Sequence, residues 1–143
     1  MSKIAVIYWS QTGNTQMMAE AIKSGAEAGG AEVSIFEVSQ IKPEDALAYD
    51  ALALGCPAMG AEVLEEDEFE PFFEAIENKL AGKKLALFGS YDWGDGEWMR
   101  NWFDRAEKSG ANLMGNEGLI VQNTPDAGAV EECKAFGSKF ANY

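Results

Sequence analysis

Two short runs of this chain are apolar at every position, Ala51-Leu52-Ala53-Leu54 and Leu85-Ala86-Leu87-Phe88. A strand that is covered on one face alternates apolar and polar side chains, whereas a strand buried on both faces does not. Both runs therefore predict central strands of a parallel sheet that is covered by helices on its two faces.

Strand-like and helical patterns alternate along the whole chain. The predicted strands span Lys3–Tyr8, Glu32–Glu37, Ala51–Gly55, Lys84–Gly89 and Leu119–Gln122. The predicted helices span Thr15–Ala28, Phe69–Leu80, Glu97–Ser109 and Ala127–Asn142. The segment 41–49 is too short and too interrupted for more than one helical turn. We therefore predict a single three-layer, doubly wound α/β domain over residues 1–143, with five parallel strands.

Composition excludes several classes of protein. The 143 residues are 47% hydrophobic, which suits one domain with a full core. No apolar run approaches the roughly 20 residues that a membrane helix needs, and no secretory signal pattern is present. Cys56 and Cys133 are far apart and the chain has no histidine, so we expect no metal site, reduced thiols and a cytoplasmic location.

The net charge is −13 at pH 7, from 24 acidic and 11 basic residues. A chain this acidic should repel nucleic acid and anionic membranes and should attract a basic protein partner. The alternative is that the acidity serves only to keep the protein in solution. Nothing in the sequence requires an oligomer, so a monomer is expected.

The turn after the first predicted strand is rich in hydrogen-bond donors. It reads Ser10-Gln11-Thr12-Gly13-Asn14-Thr15 and contains neither lysine nor arginine. Hydroxyls, backbone N–H groups and a helix N-terminus suit a phosphate, and the missing lysine favours a permanently held cofactor over a nucleotide triphosphate. The alternative is a plain helix cap made by Thr12 or Asn14. Trp9 either covers this phosphate loop or packs at the sheet edge.

The loops after the third and fourth predicted strands carry unusual side chains. In a doubly wound sheet they meet the first loop at the carboxyl edge, where ligands bind. Met59 and Trp93 could hold a planar ring between them. Gly60 would let its peptide turn over at low cost. The alternative for Trp93 is an indole folded back on the surface.

Seven stretches, in chain order, together resemble the short-chain flavodoxins, and the clostridial group most. They are Ser10–Thr15, Ala58–Gly60, Glu62–Glu66, Phe69–Phe72, Leu87–Tyr91, Trp93–Gly96 and Leu119–Asn123. The resemblance implies a flavodoxin-like fold with strand order 2-1-3-4-5 and a tightly, non-covalently bound FMN. It implies a low-potential carrier of single electrons that cycles between semiquinone and hydroquinone, and not an enzyme. Its partners would be redox proteins, ferredoxin-type reductases or oxidoreductases, that dock at the acidic surface.

The resemblance also implies roles for particular residues. Residues 10–15 would hold the 5′-phosphate, Met59 and Trp93 would flank the ring, and Glu62 would accept a hydrogen bond from the ring N3–H. The Gly60 carbonyl would accept from the flavin N5–H. The full expected set is Ser10, Gln11, Thr12, Gly13, Asn14, Thr15, Pro57, Ala58, Met59, Gly60, Ala61, Glu62, Ser90, Tyr91, Asp92, Trp93, Gly94 and Asp95.

The loops after the third and fourth predicted strands, here called the ring-side loops, contain several acidic residues. Six of them are expected to lower the second reduction potential by repelling a reduced, anionic flavin. They are Glu62, Glu65, Glu66, Asp67, Asp92 and Asp95. Three positions depart from the family pattern and should affect FMN affinity and the potentials. Gln11 stands where Gly or Thr is frequent, Pro57 replaces a hydroxyl residue, and Ala61 replaces a common Asp.

Three alternatives to an electron carrier remain at this point. One is a small FMN-dependent reductase of the same fold. Another is a module that binds FMN but transfers no electrons. The third is a response-regulator-like module, which needs acidic residues where Tyr8-Trp9 and Gly55-Cys56 stand.

Overall fold

The computed structural model describes residues 2–143 and contains a parallel sheet between two layers of helices. The strands are β1 Lys3–Tyr8, β2 Glu32–Glu37, β3 Ala51–Gly55, β4 Lys84–Tyr91, β5 Asn112–Leu113 and β6 Leu119–Gln122. The helices are α1 Asn14–Ala28, α2 Pro43–Ala46, α3 Phe69–Glu77, α4 Glu97–Lys108 and α5 Ala127–Ala141, with a 3₁₀ turn at Val38–Gln40. Within residues 2–143 no helix is long and apolar enough to cross a membrane.

The strand order confirms the doubly wound topology. The sheet runs β2-β1-β3-β4-β5, and every pairing in it is parallel. The fifth position is shared by two strands, since β5 pairs with the start of β4 and β6 pairs with its end. β5 is an addition to the five predicted strands, and its two residues are too few to produce a recognisable pattern.

Element boundaries differ from the prediction by a few residues. β4 continues to Tyr91 instead of ending at Gly89, so the fourth strand itself reaches the ligand edge. α3 ends at Glu77 and not at Leu80, although the Leu80 side chain is fully buried. The apolar pattern therefore continues beyond the helix because the following turn also packs on the core.

The two faces of β3 bury side chains of different size. On one face Leu52 and Leu87 pack in the same core as Phe73 and Trp102 of α3 and α4. On the other face β3 contributes only alanines, Ala51 and Ala53, to the core that α1 and α5 cover. The larger side chains of the sheet on that face include Ile4, Val6 and Tyr8 of β1 and Phe88 of β4.

Glycines make the contact between α1 and α5 close. A Cβ at Gly137 would overlap the carbonyl oxygen of Ile22, and a Cβ at Gly25 would overlap that of Lys134. We expect Gly137→Ala to lower the free energy of unfolding by about 1–3 kcal/mol, because one helix must move away. Urea unfolding measures this. Gly128→Ala in the same helix is the control, since its Cβ would meet only Asp126 at an ordinary 3.5 Å, and equal losses would contradict the close contact.

Candidate functional site

Backbone hydrogen bonds join the loops at the carboxyl edge of the sheet. The Trp9 N–H donates to the Gly55 carbonyl at 3.0 Å, and the Cys56 N–H donates to the Phe88 carbonyl at 3.1 Å. The Ala58 N–H donates to the Ser90 carbonyl, also at 3.0 Å. The loops after β1, β3 and β4 are therefore held side by side, as the sheet topology requires.

Two small cavities lie between these loops. The first, of about 50 Å³, is lined by Ser10, Gln11, Thr12, Asn14, Thr15, Pro57, Ala58, Met59, Ser90, Tyr91 and Asp92. The second, of about 30 Å³, is lined by Ala58, Gly60, Glu62, Asp92 and Trp93. The structure thus brings together fourteen of the eighteen expected site residues. The other four, Gly13, Ala61, Gly94 and Asp95, line neither cavity.

The loop before α1 presents donors without any cation. α1 begins after Gly13, whose φ is +94°, and no side chain at this N-cap bonds to the helix. The alternative of a plain helix cap made by Thr12 or Asn14 is therefore excluded. Instead the Ser10 hydroxyl oxygen accepts from the Gly13 N–H at 3.1 Å and from the Gln16 N–H at 3.3 Å. Its own hydrogen stays available to a ligand, beside the positive end of the helix.

Thr15 ties this loop to the sheet. Its hydroxyl lies 2.8 Å from the Ser90 hydroxyl, and the Ser90 N–H also donates to it at 3.4 Å. Both side chains are buried. Because Thr15 can accept both hydrogen bonds, its own hydrogen can also be directed to a ligand.

A tight turn follows the third strand. Met59 and Val63 exchange both backbone hydrogen bonds, at 2.9 and 3.1 Å. The enclosed residues include Gly60 with φ +41° and Glu62 with φ +61°. A positive φ is costly for a side chain such as that of Glu62, and such backbone strain is concentrated at functional sites.

The Glu62 carboxylate bridges the two ring-side loops. One oxygen, Oε2, accepts from the Trp98 N–H in the first turn of α4 at 2.9 Å. The other, Oε1, is buried and has no hydrogen-bond partner among the described residues. A Cβ at Gly94 would overlap Oε1, so a larger residue there would displace this carboxylate. A buried acceptor without a partner is costly unless a ligand supplies a donor.

Two tryptophans resolve questions that the sequence leaves open. Trp93 is 65% exposed, so its indole is not folded back against the surface. Trp9 lines neither cavity. It packs against the core, and its Nε1–H donates to Glu68 Oε1 at 3.3 Å, which places it at the sheet edge.

Glu65 has a structural role that the sequence does not reveal. Its buried carboxylate accepts from the N–H groups of Asp67, Glu68 and Phe69 at 2.8, 2.8 and 2.9 Å. Its own N–H donates to the Cys56 Sγ at 3.4 Å, and burial raises the pKa of that thiol. The expectation that Glu65 acts as a ring-side charge is thus modified, because its carboxylate caps the start of α3.

We expect Glu65→Ala to lower the free energy of unfolding by about 1–3 kcal/mol, because it leaves three N–H groups without their acceptor. Chemical denaturation measures the loss. Glu66→Ala is the control, since this neighbour is exposed. Similar losses in both variants would show that the cap contributes little.

The fold and these loops define a class: a doubly wound α/β protein that binds a phosphate-bearing, planar cofactor at its switch point. The flavodoxin family model matches residues 6–137. The chain is 51% identical over 137 residues to a flavodoxin from Clostridium beijerinckii, covering 96% of this chain and 98% of that one. It is 44% identical over 138 residues to a flavodoxin from Megasphaera elsdenii, with the same coverage. This chain belongs to the flavodoxin family.

The structural comparison agrees. The solution structure of two-electron reduced Megasphaera elsdenii flavodoxin superposes with a TM-score of 0.89, covering 98% of this chain and 99% of that one. The protein is therefore an FMN-binding electron carrier and not an enzyme. These relatives lend no support to the alternative of an FMN-dependent reductase. The donor set fits the cofactor, since hydroxyls and N–H groups suit its phosphate and Glu62 Oε1 suits a ring N–H.

Proposed function

We propose that this protein is a low-potential carrier of single electrons that holds FMN in the three loops at the carboxyl edge of its single domain, residues 1–143. The observation that supports this most is the buried Glu62 Oε1, an acceptor without a partner that lies between the two ring-side loops. FMN supplies the one-electron chemistry when it is bound. The chain supplies binding, orientation and the electrostatic setting of the potentials.

The phosphate is held by the hydroxyls of Ser10, Thr12 and Thr15 and by N–H groups of residues 10–15. Met59 and Trp93 flank the ring, and Glu62 accepts from its N3–H. Ser90, Tyr91 and Gly94 line the ring or its sugar chain. The absence of a cation from the loop is consistent with a tightly held group that neutral donors and the α1 dipole stabilise.

Gly60 raises the first reduction potential in this proposal, because its carbonyl would accept a hydrogen bond from the flavin N5–H when FMN is bound. Gly60→Ala should lower that potential by roughly 45–65 mV, the equivalent of one hydrogen bond of about 1–1.5 kcal/mol. A Cβ at Gly60 would meet no atom within 4 Å, so the change acts on backbone conformation and not through a clash.

An anaerobic potentiometric titration, followed by visible absorption, tests the Gly60 proposal. Gly82→Ala is the matched control, since Gly82 also has a positive φ, +75°, and open space around its Cβ. Equal first potentials in the wild type and Gly60→Ala would refute the role of this carbonyl.

The electron donors and acceptors are redox proteins. We propose ferredoxin-type reductases or oxidoreductases that dock at the acidic surface of a monomer in the cytoplasm. The net charge of −13 supports a weak, transient complex that forms faster at low ionic strength. Stopped-flow electron transfer at increasing salt concentration would measure this dependence.

A further inference from the structure

A groove of about 370 Å³ lies on α4, next to the loop that carries Trp93. Met99 and Phe103 of α4 and Ile120 of β6 line it with apolar atoms. Gly118 allows this close packing, because a Cβ there would overlap the Met99 Sδ. The groove is thus an apolar channel between a helix and the edge of the sheet.

Carboxylates surround this apolar floor. Asp95, Asp104, Glu107 and Glu117 all line the groove. Arg100 is the one cation among the lining residues, and Lys108 pairs with Asp104 at 2.9 Å. The Arg100 guanidinium donates to Asp95 Oδ1 at 3.0 Å and to the Asp95 carbonyl at 2.8 Å, so it is already engaged. Among residues 2–143, neither Glu107 nor Glu117 forms an ion pair. The rim therefore carries a negative field over apolar atoms.

A second groove, across the loop 115–118, provides an internal comparison. Its volume is about 340 Å³ and it is lined by Leu119 and Phe136. Its charged residues are Glu117 and Lys139, one of each sign. Apolar lining is thus common to both grooves, whereas the acidic rim belongs only to the groove on α4.

We infer that the groove on α4 is the docking site for a basic segment of a redox partner. An aliphatic or aromatic side chain of that segment packs against the apolar floor of the groove. Flanking lysine or arginine side chains pair with Glu107 and Glu117. The groove begins at Asp95 and Gly96, so its occupant lies beside the ring-side loop. This inference rests on the proposed function only in naming the occupant a redox protein.

The test uses the FMN-loaded protein and the peptide Lys-Leu-Lys-Leu-Lys as the probe. Chemical shifts of backbone amides are followed by NMR at low salt. The resonances of Met99, Phe103 and Ile120 should move with the probe. They should stay in place with Lys-Ser-Lys-Ser-Lys, which keeps the charge but lacks the apolar side chains.

Two double variants distinguish the effect of charges in the groove from the effect of the protein's net charge. Glu107→Gln with Glu117→Gln should weaken probe binding about threefold to tenfold. Glu44→Gln with Glu74→Gln removes the same charge elsewhere on the exposed surface and should weaken probe binding much less. Equal weakening in both pairs, shifts outside the groove, or equal binding of the serine peptide would each overturn the inference. Visible absorption in the same samples shows whether FMN is bound, and so it tests the proposed function separately from docking of the peptide.

Discussion

Replacing Ser10 by Ala and Thr12 by Val together should weaken FMN binding by about a hundredfold or more. Each hydroxyl that donates to a charged phosphate is worth about 1.5–3 kcal/mol, and no lysine or arginine in the loop can compensate. The Ser10 oxygen already accepts two N–H groups, so its remaining function is to donate. Titration of the apoprotein with FMN, followed by flavin fluorescence, measures the dissociation constant.

Riboflavin, which lacks the phosphate, makes this prediction specific. The double variant should lose affinity for FMN but keep the affinity of the wild type for riboflavin. Ser24→Ala, an exposed hydroxyl on α1, is the control. Equal losses for both flavins would mean that the substitutions damage the fold instead of removing phosphate donors.

Neutralising Glu66, Asp67 and Asp92 together should raise the second reduction potential by an amount on the order of 100 mV. A like charge about 10 Å from a reduced flavin costs about 0.5–1.5 kcal/mol, and about 59 mV corresponds to 1.4 kcal/mol for one electron. All three side chains are exposed. Glu65 and Asp95 are left out. The Glu65 carboxylate accepts from three N–H groups at and just before the start of α3, and the Asp95 carboxylate pairs with Arg100.

A matched triple variant controls for net charge. Glu44→Gln, Asp45→Asn and Glu74→Gln remove three exposed charges on α2 and α3. They should move the second potential much less, because salt screens distant charges over a Debye length of about 10 Å at 0.1 M. If both triple variants move it equally, the ring-side position of the acidic residues is irrelevant.

The fold was largely predictable from local pattern. Runs that are apolar at every position identify β3 and β4, although pairing with β6 carries β4 two residues beyond its predicted end. The errors arise where tertiary packing overrides that pattern. Leu80 is buried although α3 has ended, and β5 is too short to have a pattern of its own.

The site was predictable in its parts but not in its connections. Each loop follows a strand whose position is clear, so topology alone brings the loops together. The Trp98 N–H donates to Glu62 across 36 positions of the chain. A repeating pattern in the sequence cannot predict a contact between residues so far apart. The Glu65 cap likewise lies outside α3 itself, which begins at Phe69, and so it escapes a search for N-cap residues.

A stepwise anaerobic reduction of the purified protein tests the central claim most directly. The visible spectrum and the potential are recorded together as electrons are added. Our account predicts a yellow protein that takes up its two electrons in separate one-electron steps, with the second at a low potential. A protein that binds no FMN, or one that takes both electrons in a single step, would contradict it.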